Sequence, residues 1–169
     1  MTRMRRRSHA AASLVTIGLC LASGASALTR TIHEQKGAVM ATHASGTFEV
    51  AITAQKDDGI GDPTIGRMSI DKQFHGDLEG TSLGQMLAAM TDVKDSAGYV
   101  AIERVKGLLK GRSGTFALQH TGTMDSGVPG LIITVVPDSG TGQLAGITGA
   151  MTIDIRDGKH FYGFDYTLP

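Results

Sequence analysis

The chain has 169 residues, with 16 basic against 16 acidic side chains, and four of the arginines crowd its first seven positions. Beyond that stretch, residues 28–169 hold 12 Lys and Arg, 16 Asp and Glu, and no cysteine. That balance gives no general attraction for nucleic acid or anionic membranes. It also excludes disulfides, thiolate catalysis and cysteine-ligated metals.

Residues 1–27 read as a secretory signal peptide: basic MTRMRRRSH, apolar AAASLVTIGLCLA, then a small-residue end with Ala25-Ser26-Ala27 at the cleavage pattern. The apolar run is short for a membrane span, and Leu19 before Cys20 does not suit a lipid anchor. Export to the periplasm or beyond is expected, with no membrane contact after cleavage. The alternative is a start at Met40, which opens MATHASGTFEV and would leave the protein cytoplasmic. Residues 28–45 are small, polar and aperiodic, and read as a flexible lead-in to a domain over 46–169.

From Gly46 the pattern is alternation. Phe48, Val50 and Ile52 share one face, then Met68, Ile70 and Phe74, with Ser69, Asp71 and Gln73 opposite. SLGQMLAAM (82–90) has helix-favouring residues but is short, and is assigned as strand. Further period-two runs occupy 97–106, 113–124, 130–136, 149–156 and 159–168, separated by MDSGVPG, PDSGTG and RDG. Eight short strands with hairpin-length connections predict an all-β antiparallel barrel, the abundant glycines favouring closure over a sandwich.

Three stretches share Gly-x-Leu-x-Gly: GDLEGTSLGQML (76–87), GLLKGRSGTFAL (107–118) and GQLAGITGAMTI (142–153). None has the Gly-Lys-Ser/Thr or the long following helix of a phosphate loop. Their spacing fits a two-strand unit occurring three times, with glycine corners between strands.

GTFEV (46–50), RMSIDKQFHGDLEGTS (67–82), SAGYVAIERVKGLLKGRSGTFALQHTGTM (96–124), VVPDSGTGQLAGITGAMTI (135–153) and GKHFYGFDYTLP (158–169) together resemble the bacterial family called domain of unknown function 3224. The resemblance implies an eight-stranded barrel similar to allene oxide cyclase and the calycin-like barrels. It implies no activity and no cofactor. Many members of that family begin near the position of Met40.

Alternation also places polar side chains on the inner face. Lys72 is in register with Ile70 and Phe74, Glu103 with Tyr99 and Val105, His120 with Phe116 and Leu118, and His160 with Tyr162 and Phe164. Lys72, Tyr99, Glu103, His120 and Tyr162 are the candidate ligand-binding set, and Glu103 and His120 the candidate proton carriers, since burial can bring such groups near neutral pKa. The plainer reading is a buried Lys72–Glu103 ion pair with His120 bonded nearby, fixing register. A one-residue slip would turn every one of them outward.

Other sites are weaker. His75, His120 and His160 share no metal-ligand spacing. Ser96, Ser113 and Ser139 have no nucleophile elbow. Asp138–Gly142 reads as a turn, and Asp57-Asp58-Gly59-Ile60-Gly61-Asp62 as a solvated loop over the barrel mouth without calcium-loop spacing. Three functions are compatible with this pattern: a barrel binding a small apolar ligand, a cyclase- or isomerase-like enzyme using Glu103 and His120, or an oligomeric barrel with a filled core.

Overall fold

The computed structural model of the chain describes residues 41–56 and 61–169. The expected signal segment, the lead-in up to residue 40, Met40, and Asp57 and Asp58 lie outside the described residues.

Eight strands follow one another in an antiparallel meander: β1 Thr42–Ala54, β2 Ile65–Gly76, β3 Leu78–Met90, β4 Ala97–Leu109, β5 Arg112–Asp125, β6 Val128–Val135, β7 Thr148–Arg156 and β8 Lys159–Thr167. Each pairs with the next, and β8 returns to β1, so the sheet closes as a barrel. β1 begins at Thr42, inside the segment read from sequence as lead-in, because Ala44 faces the core and pairs with Phe164. The helix-like run 82–90 lies within β3, where ladders on both sides override its propensity.

Three hairpins close with two residues each: Lys110-Gly111, Ser126-Gly127 and Asp157-Gly158. In every one both residues have positive φ, from 45° to 89°. That is the turn whose twist matches the flanking strands, and glycine at its second position adopts it without steric cost.

The two ends of the barrel differ. The β2–β3, β4–β5 and β6–β7 connections share one end, and the leucines of the three Gly-x-Leu-x-Gly stretches meet there. Leu78, Leu109 and Leu144 are each 0% exposed and join Phe74, Phe116, Ile147 and Phe164 in a packed plug. Burying each such leucine contributes roughly 1.5–3 kcal/mol. The stretches are not three copies of one corner. Gly76 lies in the β2–β3 turn, Gly111 ends the β4–β5 turn, and Gly142 opens a 3-10 helix, Gly142–Leu144, that drops Leu144 into the barrel.

At the opposite end the inward row is not covered by any of the described residues. Ile52 is 53% exposed, Leu131 41% and Ile155 61%, although all three continue the core face of their strands. The wall also thins here. β6 and β7 pair only at Ile133–Met151 and Thr134–Ala150, and β1 pairs with β8 only as far as Phe48–His160. The barrel is therefore a cup, plugged at one end and hollow at the other.

Candidate functional site

Adjacent strands bring the polar inner-face residues together at the floor of the cup. Lys72 on β2 is paired with Ser82 on β3, and Glu103 on β4 lies opposite Gly84 on β3 and Leu118 on β5. His120 on β5 lies opposite Ala101, one inward position along from Glu103. Small residues make room for this crowding. A Cβ on Gly84 would sit 2.7 Å from the Glu103 Cβ and 2.8 Å from the Ile102 carbonyl oxygen.

The Lys72 Nζ donates to Glu103 Oε1 at 2.7 Å, and His120 Nε2 donates to the same oxygen at 2.9 Å. The Ser82 hydroxyl donates to Glu103 Oε2 at 2.5 Å. All four residues are buried. Burial alone would push the Glu103 carboxyl up, but the bond from His120, the positive charge of Lys72 and the bonds from Lys72 and Ser82 outweigh it and hold the pKa at about 2. Glu103 is therefore ionised at neutral pH. A carboxylate held this low, with three donors on its two oxygens, is a weak proton acceptor there. Lys72 also rests on aromatic faces, 5.0 Å from the Phe48 ring centroid and 5.8 Å from that of Phe74.

Above this floor the lumen holds a cavity of about 320 Å³, within the range of small-molecule sites. Phe48, Val50, Ile70, Met86, Leu131 and Ile153 form its apolar wall, with Lys72, Tyr99, His120 and His160 as the polar part. Tyr99 reaches it because Gly122 stands opposite on β5: any Cβ there would overlap the Tyr99 ring, which lies across the neighbouring strand. Burial, and then the negative charge of Glu103, push the Tyr99 hydroxyl up, so it stays a neutral donor. A larger hollow of about 490 Å³ runs outside the wall past Thr47, Glu49 and Lys159, and shares Phe48, Val50 and His160 with the lumen. The shared residues lie where the β1–β8 pairing ends, at Phe48–His160.

Four of the five residues expected to bind ligand thus gather around one spot, Glu103 behind the wall and Lys72, Tyr99 and His120 in it. Tyr162 stands apart in the plugged half. Its hydroxyl accepts the Leu78 N–H at 2.9 Å and donates to the His75 carbonyl at 3.3 Å, crossing over Gly46 to tie the β2–β3 turn to β8. Sequence reasoning missed Ser82, which alternation on β3 would have placed opposite Lys72, and gave His160 no role although it lines the cavity. His75 points outward to Glu49, at 3.0 Å. Asp62 accepts from the backbone N–H and hydroxyl of Thr64, as a turn former. Ser139 holds the β6–β7 loop, donating to the Val136 carbonyl and accepting from the Ala117 N–H.

Residues 44–166 match the family described as protein of unknown function, DUF3224. The crystal structure of a protein of unknown function from that family, from Shewanella oneidensis MR-1, is similar: 47% identity and a TM-score of 0.70, covering 77% of this chain and 100% of that one. No curated protein matches the chain. The chain belongs to the DUF3224 family.

Proposed function

We propose that this member of the DUF3224 family is a binding barrel whose open half takes a small apolar ligand. The observation that carries the reading is the asymmetry of the lumen. One half is solid, while the other leaves about 320 Å³ between apolar walls, above buried polar groups. Exposing Ile52, Leu131 and Ile155 to water without a ligand forgoes roughly 25 cal/mol for each Å² left uncovered. The enzyme reading is less well supported, because Glu103 is committed to Lys72, His120 and Ser82 and is held too low to exchange a proton readily.

The test is a fluorescence titration with Nile red. Wild type should bind the dye with a rise in emission, and Leu131→Trp, which fills the mouth of the cavity, should lose the response while keeping its circular dichroism spectrum. Equal responses from both proteins would contradict lumen binding.

A second reading concerns the outer wall. Leu87, Val100 and Ile132 form an exposed row across β3–β6, joined through Thr121, with Ile102 in the next row. A contiguous apolar patch of this kind suits pairing with a second copy of the chain. Sedimentation should show an oligomer that Val100→Glu dissociates; a monomeric wild type would refute it.

A further inference from the structure

We infer that the ligand of the open half is amphipathic and carries a carboxylate at its inner end, received by the Lys72 ammonium and the Tyr99 hydroxyl; this rests on the lumen-binding reading above. The polar part of the cavity wall is one-sided. Lys72 and His120 face the cavity with Tyr99 and His160 beside them, whereas Glu103 stands behind and forms no part of the lining. No acidic side chain of the described residues lines this space. A ligand entering it meets the positive side of the buried ion pair.

Unused donors point the same way. An ammonium carries three N–H groups. Among the described residues Glu103 is the only hydrogen-bond partner of Lys72, whose ammonium also lies 5.0 and 5.8 Å from the Phe48 and Phe74 ring centroids. The Tyr99 hydroxyl makes no hydrogen bond among the described residues, and Tyr99 lines the cavity. A carboxylate reaching these groups gains charge-assisted bonds to Lys72 and a further bond to Tyr99. A cationic end would meet the like charge of Lys72, and the Glu103 oxygens that could attract it already receive Lys72, His120 and Ser82. A hydroxyl could accept from Lys72 but would lack the attraction between opposite charges.

The experiment is calorimetric titration of the full chain at neutral pH with decanoate, decanol and decyltrimethylammonium. Wild type should bind decanoate tighter than decanol by about tenfold, a difference of roughly 1.4 kcal/mol, and the cation least. The double variant Lys72→Met/Glu103→Gln removes both charges together and should bring decanoate down to the level of decanol. Tyr99→Phe removes one hydroxyl without disturbing the ion pair, and should weaken decanoate severalfold but not decanol, so the test stands even if the double variant fails to fold. Equal binding of decanoate and decanol by wild type would overturn the carboxylate assignment and leave the apolar lumen site standing. So would a preference for the cation, or a decanoate preference untouched by either variant. Failure of all three probes to bind would overturn the lumen reading itself, and this inference with it.

Discussion

Glu103 is the residue on which the floor of the cup depends. Its buried carboxylate receives three donors, and removing one member of a buried ion pair typically costs about 3–5 kcal/mol because the partner charge is stranded. Glu103→Gln should therefore destabilise the fold by roughly that amount in urea denaturation, and Lys72→Met/Glu103→Gln by clearly less, since no charge is left alone. Equal losses from the two would mean that the ion pair is not the source of the effect. The same carboxyl sets an acid limit. Its folded pKa of about 2 lies below the ordinary 4.5, so its stabilisation is fully present above pH 4.5 and is lost as pH falls from 4.5 towards 2. The stability gap between wild type and Glu103→Gln should narrow across that window. A constant gap down to pH 2 would contradict the assignment.

At the scale of strands, glycines decide where bulky polar groups can stand. Gly84 leaves room for Glu103, and Gly122 lets the Tyr99 ring lie across β5. Gly84→Ala forces a methyl group against the Glu103 Cβ and the Ile102 carbonyl, and should cost about 1–3 kcal/mol by overpacking, measured as a drop in Tm. No change in Tm would show that the strands yield there. Strand alternation made Lys72, Glu103 and His120 legible in the sequence, because each shares its face with bulky apolar residues: Ile70 and Phe74, Tyr99 and Val105, Phe116 and Leu118. β3 was harder. Its inward positions are Leu78, Gly80, Ser82, Gly84, Met86 and Ala88, small or flexible residues that give little contrast with the outward ones, so Ser82 escaped notice. Tyr162 shares a face with the cavity residues, but a face runs the whole length of a barrel, and alternation does not say which half a residue occupies. The Gly-x-Leu-x-Gly recurrence reads as three like corners between strands, while the place of each glycine depends on turn geometry that the spacing does not encode.

At the scale of the whole molecule, the proposed function gives the two halves of the lumen separate duties. The plugged half, with Leu78, Leu109 and Leu144, carries cohesion. Leu109→Ala should cost about 2–5 kcal/mol of stability while leaving Nile red binding intact at temperatures where the fold persists; loss of both together would tie the two halves into one unit. Recognition is proposed for the open half, where, among the described residues, apolar side chains stay exposed and strand pairing is incomplete. The most direct measurement is a methyl NMR titration of the protein with decanoate. Signals from Ile70, Leu131 and Ile153 should move and saturate together while those of Leu78, Leu109 and Leu144 stay in place. Shifts confined to Leu87, Val100 and Ile132 on the outer wall, or no shift in any lumenal methyl, would contradict a binding site inside the barrel.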